Sequence, residues 1–306
     1  MIEKKRKTAN TLILILTSLI WGGGFISQSI GAGYVGAYTF LALRSWLAVI
    51  ALIPVVYFFV IKKAPEGLKS VLNKDSLKGG IVCGLMLFLA SAAQQLGIAY
   101  TTTAKAGFLT AMYVVMVPII CFIINRAGRL FLKRSFLQDS EKTGLFIWLG
   151  VMLTLAGLYL LCLKDSFSFE KGDLLMMLCA LLFAFQIISI NHFVKKVEPV
   201  LLAWLEFFFT ALFSSVFMFI FENPSVSALS SAAPSIIFAG LFSSAMGYTL
   251  QIVGQKGLNP TVASIIMSLE SVFSAILGWL ILGQSLTVRE IAGCVLMFTA
   301  IIVSQL

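Results

Sequence analysis

One carboxylate interrupts a long apolar stretch of this sequence. Glu270 lies within NPTVASIIMSLESVFSAILGWLILGQSL, residues 259–286, among small and apolar side chains. A charge at the centre of a membrane helix costs about 2.5–3.5 kcal/mol on insertion scales, so such residues mostly face a bundle interior or a water-filled cavity. We expect Glu270 to bind a cationic group such as an amine or guanidinium, or to exchange a proton. A hydrogen bond to a neighbouring helix is the structural alternative.

A tyrosine is expected to share the depth of Glu270 in the membrane. Tyr113 follows Ala106 and Thr110 on one face of the fourth apolar run, as Glu270 follows Ala263 and Met267 in the ninth. Two polar tips at equivalent depth could meet across a central cavity.

Two further charges interrupt apolar runs. Arg44 lies about seven residues into the second run, and Glu206 lies at a similar depth in the seventh. Long basic side chains near a helix end often extend to the membrane surface, so either snorkelling or substrate contact would account for Arg44. Glu206 could either have a structural role within the helix bundle or bind the substrate.

Amide and hydroxyl side chains follow one helical face in the eighth run. They are Ser244, Gly247, Tyr248, Gln251 and Gln255, and the third run carries a shorter version with Ser91 and Gln95. Lipid would not tolerate such a face, so it either lines a cavity or forms hydrogen bonds between helices. In the first run, Trp21 precedes three glycines that favour close helix packing.

Composition places these residues in a membrane protein. The chain has 306 residues, of which 59% are hydrophobic and 11% charged, and its mean hydropathy is +1.00. A soluble domain has about 25% charged residues. The net charge of +9 does not form a basic face interleaved with aromatics, so nucleic acid is not an expected partner.

Several other classes lack support in the sequence. Five cysteines without CxxC spacing and a single histidine, His192, predict no disulfide framework and no metal site. The GxGxxG pattern at Gly31, Gly33 and Gly36 lies in a short loop with no strand ahead of it. We expect no catalytic residues and no cofactor, and the lack of a phosphate loop argues against an ATP-driven pump.

The apolar runs predict ten membrane spans. They cover residues 11–30, 37–61, 78–98, 104–124, 144–163, 173–193, 199–221, 235–255, 260–282 and 288–305. With the N-terminus inside, 17 basic residues fall on cytoplasmic segments and four outside, namely Lys105, Lys164, Lys171 and Arg289. The positive-inside rule therefore predicts a multi-pass protein with both termini in the cytoplasm.

The two halves of the chain repeat. Corresponding residues are Trp21 and Phe183, Arg44 and Glu206, Gln95 and Gln251, Tyr113 and Glu270, and Gly150 and Gly293. A unit of five spans is odd, so the second copy must enter the membrane from the opposite side. We therefore predict an all-α membrane protein of ten transmembrane helices in two inverted-topology five-helix repeats, 1–163 and 164–306, the architecture of many secondary transporters.

Several stretches resemble the drug/metabolite transporter superfamily, EamA type. They are SLIWGGGFISQSI, LALRSWLAVIAL, YTTTAKAGFLTAMYVVMVP, GDLLMMLCALLFAFQIISI and the stretch from Asn259 that contains Glu270. The resemblance implies a central cavity and export of small metabolites, commonly amino acids, across the bacterial plasma membrane. By position, Glu270 matches the family's acidic residue and Arg44 its second-helix arginine. Ser271 replaces the usual proline, which puts a kink in helix nine in doubt, and Gln284 replaces the usual glutamate.

The first hypothesis is therefore alternating-access export of small metabolites such as amino acids or related compounds. Efflux of lipophilic or cationic drugs is the alternative within the same class, and a membrane scaffold or lipid-modifying enzyme is the alternative from a different class. The expected partners are a small-molecule substrate, the lipid bilayer and, as a candidate coupling ion, the proton; monomer and homodimer both stay open. The expected substrate-binding residues are Glu270, Tyr113, Gln251, Tyr248, Gln95, Trp21, Glu206 and Arg44.

Overall fold

A computed structural model describes residues 2–64, 67–100, 103–132, 144–162, 171–282 and 286–306. Within these ranges the regular elements are all helical. They are α1 (Ile2–Ala32), α2 (Ala37–Phe59), a 3-10 turn (Ile61–Lys63), α3 (Leu68–Val71), α4 (Lys74–Ile98), α5 (Thr103–Ala111), α6 (Tyr113–Leu132), α7 (Leu145–Cys162), α8 (Lys171–Phe193), α9 (Pro199–Phe221), α10 (Val226–Phe238), a π-helical segment (Ala239–Tyr248), α11 (Thr249–Gln255), α12 (Pro260–Met267), α13 (Glu270–Leu282) and α14 (Val288–Ser304).

The predicted all-helical membrane class is confirmed. In the described ranges, nine helical stretches are long and apolar enough to cross a membrane. The tenth predicted span corresponds to α14, which has 17 residues. The fourth predicted span, 104–124, corresponds to the apolar stretch Ala106–Ala127, and α6 continues beyond it to Leu132. Lys133, Arg134, Lys142, Lys164 and Gln284, on which parts of the prediction depend, lie outside the described residues.

Polar side chains at the membrane ends fix where several helices begin. Asn73 and Ser76 form a capping box at the start of α4, and Thr287 and Glu290 form another at α14. Side-chain acceptors of this kind satisfy backbone N–H groups that have no partner within the helix. The start of α2 has no side-chain cap of its own and is capped from the other half of the chain by Glu222.

The helix contacts are consistent with an inverted repeat. In the repeat, the contact of α1 with α13 corresponds to the contact of α8 with α6. The contacts of α4 with α8 and α9 correspond to those of the π-helical segment with α1 and α2. Three contacts, α2 with α9, α6 with α12 and α7 with α14, join helices that the repeat pairs with each other. Exchanging the two halves therefore maps this set of contacts onto itself.

Close packing at glycines repeats in the same way. A Cβ on Gly84 would lie 2.7 Å from the Glu206 carbonyl oxygen, and one on Gly240 would lie 3.1 Å from that of Arg44. These are the partners that the sequence repeat pairs. At the contact of α7 with α14, Gly150 approaches the carbonyl of Ala300 and Gly293 approaches that of Gly157. Small residues at these points let the backbones of neighbouring helices touch.

Candidate functional site

The fourth and ninth spans are both broken in the middle. α5 ends at Ala111 and α6 begins at Tyr113, while α12 ends at Met267 and α13 begins at Glu270. The breaks use equivalent short-range bonds, because Met112 N donates to Leu109 O and Leu269 N donates to Ile266 O, each at 3.2 Å. Interrupted helices of this kind form the substrate sites of many secondary transporters.

The ninth span is interrupted at the place where the replacement of proline by Ser271 had put a kink in doubt. The helix is interrupted next to Ser271 even though the family's usual proline is absent. The Ser271 N–H donates to the carbonyl of Ser268 at 3.2 Å, an i to i−3 bond that tightens the turn. The break therefore does not depend on proline at this position.

Tyr113 and Glu270 meet as predicted. The Tyr113 hydroxyl donates a 3.2 Å hydrogen bond to Glu270 Oε1, and both side chains are buried. Because each residue begins the second half of its span, both also lie at the positive end of a half-helix dipole. The pair therefore combines one carboxylate with two helix N-termini at one point between the halves.

The polar face of the eighth span points into the protein. Ser244, Tyr248, Gln251 and Gln255 are all buried, which confirms that this face avoids lipid. The span begins as α10, with Pro234 in its interior, and then runs as a ten-residue π-helical segment from Ala239 to Tyr248. π-helical turns are rare in proteins overall, but those that occur are often found at functional sites. The wider turn changes which residues share a face of the helix.

Trp21 and Tyr248 form an aromatic wall beside the Glu270 pair. Their ring centroids are 4.7 Å apart, and the Trp21 indole donates to the Ser243 carbonyl at 3.2 Å. A Cβ on Gly247 would lie 2.6 Å from Trp21 Nε1. Glycine at 247 therefore makes room for the indole next to the cavity.

A cavity lies at the centre of these elements. The volume open to the centre of a water molecule is about 30 Å³. By the same measure one water molecule needs about 10–15 Å³, so the cavity has room for water. In the described part of the chain the wall holds one carboxylate and no basic side chain. Its lining residues are Trp21, Phe25, Gln28, Gln94, Thr110, Tyr113, Phe183, Gln186, Ile187, Ser243, Tyr248, Gln251, Met267 and Glu270.

Five of the eight predicted substrate residues lie in this wall, and three do not. Gln95 lies behind it and donates to the Gln28 carbonyl at 3.1 Å. Glu206 is completely buried and accepts a 2.9 Å bond from Gln186, which does line the cavity. Arg44 is only 3% exposed and lies 5.9 Å from the Phe40 ring centroid. Of the two interpretations of Arg44, snorkelling to the membrane surface is therefore wrong, and Arg44 does not line the cavity either.

Three amides in the wall, Gln28, Gln94 and Gln186, are not among the predicted substrate residues. Gln186 was overlooked because the equivalent position in the first half is Gly24, so the repeat carries no polar pair there. Gln94 was passed over in favour of its neighbour Gln95, which the repeat pairs with Gln251. A lone glutamine inside an apolar run was the available signal for Gln186.

A polytopic helical protein with a polar cavity between broken helices has the architecture of a membrane transporter. Residues 170–305, in the second half of the chain, match the model of the EamA-like transporter family, the family that the quoted stretches resemble.

Two relatives extend the match to nearly the whole chain. An uncharacterized transporter of Archaeoglobus fulgidus is 27% identical over 96% of this chain and 84% of its own length. Uncharacterized transporter YoaV of Bacillus subtilis is 24% identical over 92% of each chain. A solved crystal structure superposes with a TM-score of 0.73 at 16% identity and covers 97% of this chain and 96% of its own, which shows the fold alone.

Proposed function

We propose that this transporter exports small metabolites that carry a cationic amine, such as amino acids or related compounds, by alternating access through the central cavity. The observation that carries the proposal is the Glu270–Tyr113 pair, where a buried carboxylate and a phenol meet at the break of two equivalent helices. Burial removes the water molecules that would hydrate the Glu270 carboxylate in solution. An ammonium group would replace them as the partner of the negative charge.

The rest of the wall fits such a solute. Aromatic rings of Trp21, Tyr113 and Tyr248 offer faces to a cation. The amides of Gln186 and Gln251 can donate to a carboxylate, and the N-termini of α6 and α13 add positive dipole ends at the cavity wall. A zwitterion would thus find both its charges matched without a basic side chain.

Efflux of lipophilic cations is the second candidate. It is favoured by the aromatic wall and by Glu270 as the one carboxylate in the described lining. A passive scaffold would have a dry, fully packed centre, whereas this chain has a cavity with a carboxylate in its wall.

Counterflow in proteoliposomes tests the proposal. The purified protein would be given a panel of labelled neutral and basic amino acids together with tetraphenylphosphonium. We expect amino-acid exchange by the parent and its loss in Glu270→Gln, with Asp75→Asn, an exposed carboxylate at the start of α4, as the control. If only tetraphenylphosphonium moves, and it does so equally in Glu270→Gln, both the substrate class and the role of Glu270 are wrong.

The bacterial plasma membrane, cytoplasmic termini and the division into repeats 1–163 and 164–306 also belong to this proposal. They are supported by the distribution of basic residues and by helix contacts that map onto themselves when the halves are exchanged.

A further inference from the structure

A second buried carboxyl lies just outside the cavity wall. Glu206 in α9 has no exposed surface, and its Oε1 accepts a 2.9 Å hydrogen bond from Gln186 Nε2. No group in the described ranges hydrogen-bonds its Oε2. A buried carboxylate with an unbonded oxygen costs far more than a carboxylic acid in the same place, because burial penalises the charged form most.

An amide pair connects this carboxyl to the cavity. Gln186 Nε2 also lies 3.5 Å from Gln251 Oε1, and Gln251 Nε2 donates to Gln186 Oε1 at 3.2 Å. Both glutamines line the cavity, whereas Glu206 does not. Glu206 therefore contacts the substrate space only through Gln186.

We propose that Glu206 takes up and releases the coupling proton of this transporter, and that the Gln186–Gln251 amide pair transmits its protonation state to the cavity. The inference rests on the proposed transport function. Uptake moves one proton from hydronium to Oε2 and leaves a water molecule; release returns the proton to water. Glu270 then stays available for the solute.

The amide pair responds because hydrogen bonds to an ionised group are shorter and roughly twice as strong as neutral ones. When Glu206 is ionised, its Oε1 draws Gln186 Nε2 away from Gln251. When Glu206 is protonated, this hydrogen bond weakens but is kept, and the same N–H₂ group moves toward Gln251 and the cavity. The donors that a solute meets therefore differ between the two states.

The helices packed against α9 bring few other ionisable groups to this depth. They present Arg44 on α2, Cys83 on α4 and Tyr248 at the end of the π-helical segment. Cys83 and Tyr248 lie within electrostatic range of Glu206, and Tyr248 is also within range of Arg44 and Glu270. Among the described residues no ion pair joins Arg44 to Glu206, so no direct cation holds the carboxyl ionised.

Infrared difference spectroscopy during a pH titration tests the inference without any substrate. In lipid-reconstituted parent protein we expect a carbonyl band of a protonated carboxylic acid that disappears as pH rises. Glu206→Gln should abolish that band, and Gln186→Leu should shift its frequency because the carbonyl loses its N–H donor. Asp75→Asn should leave the band in place. Glu270→Gln, which removes the buried carboxyl of the cavity wall, should leave the Glu206 band in place, and a band that Glu270→Gln removes and Glu206→Gln does not would overturn the assignment.

A transport measurement then separates this inference from the proposed function. In the labelled amino-acid assay, we expect an imposed pH gradient to accelerate transport by the parent and to have no effect on the exchange that Glu206→Gln retains. Acceleration that persists in Glu206→Gln, or a parent that ignores the gradient, would contradict the coupling role. If the parent moves no solute at all, the proposed function fails, and the infrared titration still decides whether Glu206 binds a proton.

Discussion

The Tyr113 hydroxyl donates a 3.2 Å hydrogen bond to Glu270 Oε1 across 157 positions of sequence. This separation is the one at which the fourth and ninth spans repeat, and each residue begins the second part of its interrupted span. The contact thus joins the two halves of the chain at the point where both spans are interrupted.

Removing the phenol oxygen should weaken solute binding, because in the proposed site the Tyr113 hydroxyl orients the carboxylate that binds the amine. Hydrogen bonds to charged groups contribute about 1.5–3 kcal/mol, and about 1.4 kcal/mol is tenfold in affinity. We expect Tyr113→Phe to lower the apparent affinity for a transported amine roughly tenfold or more. Counterflow at varied solute concentration measures it, with Tyr100→Phe at an exposed position as the control. An unchanged affinity would remove Tyr113 from the site.

Adding one methyl group at either of two equivalent glycines should destabilise the protein. In Gly84→Ala the new Cβ would meet the Glu206 carbonyl at 2.7 Å, and in Gly240→Ala it would meet Leu47 Cβ at 2.8 Å. Overpacking of this kind costs about 1–3 kcal/mol. The unfolding midpoint in mild detergent measures the loss, and Gly144→Ala, which has open space around it, serves as the control. A loss at only one of the two glycines would mean that the contacts are not equivalent.

Glu222 should hold the start of α2 in place. Its carboxylate accepts bonds from the backbone N–H groups of Tyr38 and Thr39 and from the Thr39 hydroxyl. Loss of a helix cap costs about 0.5–2 kcal/mol. We expect Glu222→Ala to lower the unfolding midpoint and Glu222→Gln, which keeps one acceptor oxygen, to lower it less. Equal stability of parent and Glu222→Ala would show that the cap contributes nothing.

Hydropathy predicted the helices well because the bilayer leaves few alternatives. Backbone groups in lipid must bond within their own helix, so apolar runs of the right length become spans. The predicted span 199–221 coincides with α9, which begins directly after the Glu198 cap at Pro199. The repeat likewise predicted that Tyr113 and Glu270 would meet.

Details that depend on local backbone geometry were not predictable. The breaks at Met112 and Leu269 occur without proline, and the π-helical segment has no residue type that marks its wider turn. Choosing between Gln94 and Gln95 required the rotation of α4, which hydropathy does not fix to within one residue. The sequence also left open whether Arg44 reaches the membrane surface or turns inward, because this depends on the packing of its helix, which buries the side chain.

The orientation of the chain can be checked at two exposed positions. Lys196 follows α8 and is expected on the cytoplasmic side, whereas Val226, which is 84% exposed, is expected outside. In a Cys294→Ser background, the other four cysteines are buried. An impermeant thiol reagent added to intact cells should then label Val226→Cys and spare Lys196→Cys. The opposite pattern would invert the predicted topology.

Alternating access is the central claim, and thiol labelling of the cavity tests it most directly. Ser243 lies in the cavity wall and is 3% exposed. We predict that Ser243→Cys, in the same Cys294→Ser background, reacts with an impermeant reagent in both right-side-out and inside-out vesicles, because the cavity opens in turn to each side. Labelling from one side only, or from neither, would contradict the account.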